Sequence, residues 1–473
     1  GDLIWPEDQL MMRVLITEEA YFNREILRND VVTLTDIYAD EGYAYADIIP
    51  KLDQDMENQV VHINIKINKG SPVYFEKIII AGNTRTRDKV IRRELEIYEG
   101  ELFSGRRLKR SVRNFHRLGY FEDVQVNTRK GSSDDQMILD IDVKEKSTGT
   151  FSLGGGYSSV EKFFGTGSIT ERNLLGHGLT LNLNAQIGSV TQRFSLDLID
   201  PWMFDMPLMG AAGVYKWNYE YDYYEKESTG ANIRVGYPVY IDTRLSFKYY
   251  YDIADVVDID EDAAESIKEL EGVNVTSAVR GTLRYDSRNQ FFYATRGQDH
   301  ELSVEYAGLG GDIKFIKYTG QLSVYFPLVK GLVGFLNTAG GYVTNHGNGL
   351  LPDYEKFYLG GIHSLRGFDV WEVSAKDENG DDIGGNSFVQ LNAEIHIPLL
   401  IKQGVLGVFF YDTGNVYGEG ESIDLGNLRQ TAGFGVRWNS PMGPIRLERG
   451  YILDPKDDED GNGRWEFAME AAF

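Results

Sequence analysis

From Thr148 to the end of the chain one pattern returns: a strand-length segment in which apolar and polar side chains alternate, sixteen times in all. Leu179, Leu181, Leu183, Ala185 and Ile187 interleave with Thr180, Asn182, Asn184 and Gln186. Val389, Leu391, Ala393, Ile395 and Ile397 interleave with Gln390, Asn392, Glu394 and His396. In the last segment Trp465, Phe467, Met469, Ala471 and Phe473 alternate with Glu466, Ala468, Glu470 and Ala472. A strand turns successive side chains to opposite faces of its sheet, so each segment has one greasy face and one polar face. Sixteen such rows exceed what one soluble core usually organises. They fit a closed antiparallel sheet with lipid outside and water inside. A soluble sandwich with its apolar rows turned inward stays as the alternative. Aromatics near segment ends (Trp202, Trp217, Tyr219, Tyr221, Tyr223, Trp438, Trp465) favour the membrane. The predicted fold is mostly β: a 16-stranded antiparallel transmembrane β-barrel over residues 149–473, preceded by two small α+β domains.

Several function classes are excluded early. A net charge of −24 argues against nucleic acid, which needs clustered Lys and Arg. No Walker motif is present to hold a nucleotide. With 0 Cys there is no thiol nucleophile or thiolate metal site. The 7 His show no HExxH spacing, so no metal is expected. His363-Ser364 are neighbours without a third group to complete a hydrolytic site. Asp377 to Gly380 and Asp457 to Gly463 look like calcium loops. Aligning Gly461 at the turn position puts Lys456 and Phe467 where carboxylates belong, so solvated acidic loops are expected instead. Neither a catalytic residue nor a cofactor is predicted, and the protein is not expected to be an enzyme.

The first 148 residues carry helical periods and an internal repeat. Asn23 opens a helical run (Ile26, Leu27, Leu34, Ile37, Tyr38) that stops at Gly42-Tyr43 and leads into two strands, Ala44 to Leu52 and Val61 to Ile67. Ser104 opens a second run (Leu108, Val112, Phe115, Leu118) that stops at Gly119-Tyr120 and leads into strands around Val124 and Met137 to Val143. The second copy begins with a strand from Val73 to Ala81, a turn at Gly82-Asn83 and a helix near Asp88 to Leu95. The first copy lacks that opening strand, so the chain is expected to be cut within a longer series of such units. The boundaries are set at 1–70 for the incomplete copy and 71–148 for the complete one. This β-α-α-β-β order, with Leu118-Gly119-Tyr120-Phe121 after the second helix, resembles the polypeptide-transport-associated (POTRA) domain. A short sheet with an open edge can accept an extended peptide by strand addition, or simply act as a packed spacer.

The connection over 344–385 is far longer than a hairpin needs. It contains Phe357-Tyr358-Leu359-Gly360-Gly361-Ile362-His363-Ser364-Leu365-Arg366-Gly367-Phe368, too apolar to stay in water. The barrel interior is the one place that can bury it, and there Arg366 needs a counter-charge. Alternation along Val405 to Asp412 turns Leu406, Val408, Phe410 and Asp412 inward, which makes Asp412 the candidate partner. On residue chemistry alone, capping of a turn by Arg366 is an equal alternative.

Leu365-Arg366-Gly367-Phe368 after Gly360-Gly361 resembles the inward-loop signature of the BamA superfamily of POTRA-plus-barrel insertases. Phe410-Tyr411-Asp412-Thr413-Gly414-Asn415-Val416 is similar to its partner strand. Asn173-Leu174-Leu175-Gly176 with Gly178, Asp286-Ser287-Arg288 and the terminal Phe473 also match. The family usually has valine where Leu365 stands and proline where Ala294 stands. The resemblance implies an insertase that folds β-barrel proteins into the outer membrane of a Gram-negative bacterium, with its N-terminal domains in the periplasm. Its implied partners are unfolded outer-membrane β-barrel clients, outer-membrane lipids, accessory lipoproteins and periplasmic chaperones, with no nucleic acid and no nucleotide. Arg366, Gly367, Phe368, Phe410 and Asp412 would pin the loop. Gly154, Gly155 and Gly156 in the first barrel strand and Ala471, Ala472 and Phe473 in the last would form a weak seam, a lateral gate that templates incoming strands. The alternative implied by resemblance is a two-partner-secretion pore passing unfolded polypeptide through the lumen.

Overall fold

The computed structural model describes residues 3–19, 21–290, 293–377, 380–440, 443–456 and 462–469. They form two compact units, Gly1–Thr148 with Arg172–Gly178, and Gly149–Glu171 with Leu179–Phe473.

In the first unit, α1 (Glu7–Met11) and α2 (Arg24–Asp40) pack on a two-stranded sheet of β1 (Asp47–Asp55) and β2 (Val60–Asn68). Asn23 caps α2 as its residue type predicts, its side chain accepting from Glu25 N–H at 2.9 Å and Ile26 N–H at 3.3 Å. No opening strand joins this sheet among the described residues. The second copy is complete: β3 (Tyr74–Ala81), α3 (Asp88–Arg92), α4 (Gly105–Leu118), β4 (Phe121–Lys130) and β5 (Gln136–Glu145), with β5 between its two partners. Ser104 caps the start of α4, and Gly119 ends it in the left-handed conformation at φ +72°. Val73, Phe75, Ile91, Phe115, Leu139 and Ile141 are its core. The Asn173-to-Gly178 motif belongs to this unit: Asn173 donates to the Thr86 hydroxyl at 2.8 Å and accepts from Gly178 N–H at 2.8 Å.

The second unit is a closed barrel of sixteen strands. They are β6 (Gly149–Ser158), β7 (Lys162–Leu174), β8 (Leu179–Gly188), β9 (Thr191–Asp200), β10 (Met209–Glu220), β11 (Glu225–Tyr240), β12 (Thr243–Val257), β13 (Gly272–Asp286), β14 (Gly297–Gly311), β15 (Phe315–Pro327), β16 (Val333–Asn345), β17 (Ser387–Leu400), β18 (Val405–Tyr417), β19 (Arg429–Ser440), β20 (Gly443–Ile452) and β21 (Trp465–Met469). Alternation along β12 shows which way the wall faces. Phe247, Tyr249, Tyr251 and Ile253 are exposed, while Asp252 and Ala254 on the alternate positions are buried. Leu183, Leu196, Ile233, Leu302, Leu336, Phe409 and Leu447 likewise point out, and Asn232, Glu305, Asn337, Asn392, Glu394 and Glu448 point in. A water-soluble sandwich would reverse this, so the outer belt is the lipid-facing surface of a transmembrane barrel. No helix among the described residues is long and apolar enough to cross a membrane; the strands do so.

Two readings of the sequence, the bounds of two strands and the long acidic stretch over 254–273 as a plain loop, need correction. The sequence places strands at 228–238 and 242–253, but β11 and β12 run on to the pair Glu225↔Val257, because ladder hydrogen bonds continue after the apolar rhythm has stopped. The acidic connection after β12 is also partly folded: Ala263, Ala264, Ile267 and Leu270 pack on Tyr224 and Val256. Of the two calcium-like loops, residues 378–379 and 457–461 lie outside the described residues.

Candidate functional site: the loop tip and the seam

The connection over 344–385, predicted to fold inward, is a hairpin. Phe357 and Gly385 exchange N–H···O bonds at 2.9 Å, and Leu359 and Val373 do so at 2.9 and 3.0 Å. Its tip closes where Ser364 Oγ accepts from Gly360 N–H at 2.7 Å and donates to Gly360 O at 2.8 Å. Leu359, Leu365, Phe368 and Val373 bury themselves with Val416 and Ile452, which face the lumen. Leu365, where the family usually has valine, is fully buried in that cluster.

The tip presents Arg366 to three carboxylates. Nε and Nη2 hold the two oxygens of Asp412 at 2.7 and 2.5 Å, and Nη1 reaches Glu394 at 2.6 Å and Glu448 at 2.8 Å. The Arg366 backbone N–H adds a 3.2 Å bond to Asp412, and its guanidinium lies 3.6 Å above the centre of the Phe410 ring. Asn392 bridges Asp412 to Ser364 O, at 2.8 Å each. Turn capping is therefore not the role of Arg366; the guanidinium fork suits the paired oxygens of Asp412. Arg437 binds Glu394 and Glu448, and Arg446 binds Glu448 and Ile362 O, so three guanidinium groups face three carboxylates. A charge cluster this deep is tolerable because each member is paired.

Gly367 needs its glycine twice: φ is +105°, and a Cβ there would lie 3.0 Å from the Gly450 carbonyl carbon. Its N–H donates to Glu466 on β21 at 2.7 Å. Phe368 is buried beneath the Arg429 guanidinium. Sequence reasoning found Arg366, Gly367, Phe368, Phe410 and Asp412, which the structure brings together. It missed Glu394, Arg437, Arg446, Glu448 and Glu466 as members of the site, although Glu394 and Glu466 stand in the polar rows it quoted.

The aromatics of the β10–β11 connection are a further difference. Tyr221 is not in a lipid belt; it stacks on Tyr224 at 4.5 Å and on Trp371 of the inward loop at 5.3 Å. Its neighbour on the loop is held at an unusual φ of +66° at Trp371.

At the seam, β6 pairs with β7 along its full length, and β20 pairs with β21 from Arg449↔Trp465 to Ile445↔Met469. Between β21 and β6 the described residues make one register pair, Ala468↔Ser158. Ser159 N–H donates to Phe467 O at 2.9 Å, and Phe467 N–H to Ser159 Oγ at 3.1 Å. Gly154, Gly155 and Gly156 lie in β6 opposite Thr166, Gly165 and Phe164 of β7. Ala471, Ala472 and Phe473 lie outside the described residues.

A sixteen-stranded barrel with an arginine-pinned inward loop and repeated small α+β domains defines a class of outer-membrane-type barrel proteins. A family model described as "Omp85 superfamily domain" matches residues 173–473, and one described as "Surface antigen variable number repeat" (POTRA) matches 1–70 and 73–146. The chain belongs to the Omp85 superfamily. It is 33% identical over 482 residues to the outer membrane protein assembly factor BamA of Nitratidesulfovibrio vulgaris, covering 100% of this chain and 61% of that protein. It is 28% identical over 486 residues to the protein of the same name in Neisseria meningitidis, covering 91% and 60%. The chain thus spans about three fifths of the length of these curated relatives. Among solved structures, BamA from Haemophilus ducreyi lacking POTRA domains 1-3 superposes with a TM-score of 0.84 at 23% identity, covering 99% of this chain and 97% of that one.

Proposed function

We propose that the protein folds and inserts β-barrel proteins into the outer membrane of a Gram-negative bacterium, with its POTRA domains in the periplasm. The observation that carries this reading is the β21–β6 junction, where the described residues make one register pair beside strands that pair along their length. At about 1 kcal/mol net per backbone hydrogen bond, a junction held by the few bonds that the described residues make opens thermally and needs no nucleotide. The freed edge of β6, with Gly154 to Gly156 in it, is then a template on which a client strand pairs by β-augmentation. Relatives named as assembly factors support the same reading. Clients are unfolded outer-membrane β-barrel chains, delivered by periplasmic chaperones with accessory lipoproteins at the POTRA domains, and the surrounding lipids receive the product. No bond-making chemistry is involved, so the protein is not an enzyme and needs no cofactor. A loop seated across the lumen by Arg366 favours insertion through the wall over secretion through the pore.

The test uses the absence of cysteine. In the double variant S158C/A468C, oxidation closes the seam across the register pair Ser158–Ala468. Client insertion into lipid vesicles is expected to stop on oxidation and to resume on reduction. Unchanged insertion by the oxidised protein refutes the gate.

A further inference from the structure

We propose that Arg464 and Glu466 are positioning residues that clamp the terminal strand to the loop tip, so that β21 and the tip move as one piece and β6 is the edge that parts. This rests on the insertase reading above and deepens it by saying which side of the gate moves.

The argument starts from the alternation of the last strand. Trp465 points out to lipid and is exposed, whereas Glu466 and Ala468 are buried on the inner side. Arg464, two residues before Glu466, forms an ion pair with Asp369 of the tip. Glu466 accepts the Gly367 N–H at 2.7 Å. Among the described residues the strand pairs in register with β6 at Ala468, through Ser158, and Phe467 bonds to Ser159 beside it. Arg464, just before the strand, and Glu466 within it thus go to two residues of the same loop, 369 and 367.

The backbone agrees. Gly450 N–H donates to Arg464 O at 3.1 Å. A Cβ on Gly463 would lie 2.9 Å from the Gly450 carbonyl carbon, and one on Gly367 3.0 Å from the same atom. Tip, β20 and the start of β21 therefore meet backbone to backbone, with no room for a side chain between them. On its other flank β21 is laddered to β20 over all 5 of its residues.

Glu466 adds a chemical oddity. Asp412, Glu394 and Glu448 each face at least one guanidinium, but no ion pair is formed by Glu466 among the described residues, and its second oxygen is buried without a hydrogen-bond partner there. Taking a carboxylate out of water to receive one backbone N–H is a poor way to gain stability. It is a good way to hold one strand at one height against the tip.

The experiment sets two locks side by side in the cysteine-free chain, reconstituted in lipid vesicles. S158C/A468C, oxidised, closes the seam. D369C/R464C, joined by a short bis-maleimide, ties the tip to β21. The seam lock is expected to stop insertion of a β-barrel client while the tip lock leaves it intact; a tip lock that also stops insertion overturns the clamp. If neither lock affects insertion, the gate reading fails, and hydrogen exchange still decides the clamp. E466A is expected to raise exchange of residues 365–369 and 464–469 together by about tenfold or more, the factor for one lost charge-assisted hydrogen bond. E466Q, which keeps an acceptor oxygen, is expected to hold it down. Exchange that rises in one segment alone, or in neither, overturns the proposal. Should E466A fail to fold, R464E is expected to release both segments and D369R/R464E to restore them, and failure of that rescue overturns it equally.

Discussion

Arg366 is a residue whose loss has a calculable direction. Its removal leaves Asp412 buried with Asn392 as its remaining side-chain donor among the described residues, and breaks the tip away from Glu394 and Glu448. Breaking a buried pair by deleting one partner costs about 3–5 kcal/mol. Arg366→Ala is therefore expected to unseat the loop, seen as faster hydrogen exchange over residues 359–373, and to impair client insertion; normal insertion removes the loop from the mechanism. Arg366→Lys is expected to fail nearly as badly, because a point charge cannot hold both oxygens of Asp412 while reaching two further carboxylates. Asp412 was legible in the sequence because alternation along Val405 to Asp412 says which side chains point in. Glu394, Glu448 and Arg437 were not, since alternation gives the face of a strand but not its height. The stagger between strands, which brings position 366 level with 394, 412 and 448, is a property of the closed cylinder.

Among the elements, the second POTRA domain carries a pH-sensitive turn. Glu145, the last residue of β5, is pushed up by burial, but the Thr86 and Arg85 N–H groups and the Thr84 hydroxyl outweigh this and hold it at about 2. A carboxyl depressed on folding stabilises fully above its unfolded value, near 4.5, and loses that contribution as pH falls towards about 2. Protection of the 84–86 amides, corrected for intrinsic exchange, is expected to decline across that window in the native chain and to be flat in Glu145→Gln. Asn23→Ala is expected to destabilise the first domain by about 1 kcal/mol, the usual worth of an N-cap, read from the exchange of α2. Caps and glycine stops were readable because they depend on local chemistry: Asn23, Ser104 and Gly119 sit where their types predict. The full lengths of β11 and β12 were not readable. Their outer ends are held by backbone ladders between residues such as Glu225 and Val257, whose side chains carry no rhythm.

At the scale of the molecule, the inward loop makes the cylinder a filled one. Deleting residues 357–373 is expected to raise ion conductance in planar bilayers while leaving the outer wall intact; a conductance equal to that of the native protein would mean that the loop does not occupy the path. The barrel also joins positions that are far apart along the chain. Phe467 meets Ser159 across 308 residues, and the tip at Gly367 reaches Glu466 across 99. Contacts of that span form late, after nearer strands have found one another. Synthesis runs from the amino end, so every partner on β17 to β21 that steadies the tip leaves the ribosome after it. The newborn polypeptide must therefore wait with its arginine unanswered until the strands that carry Asp412, Glu394 and Glu448 have followed.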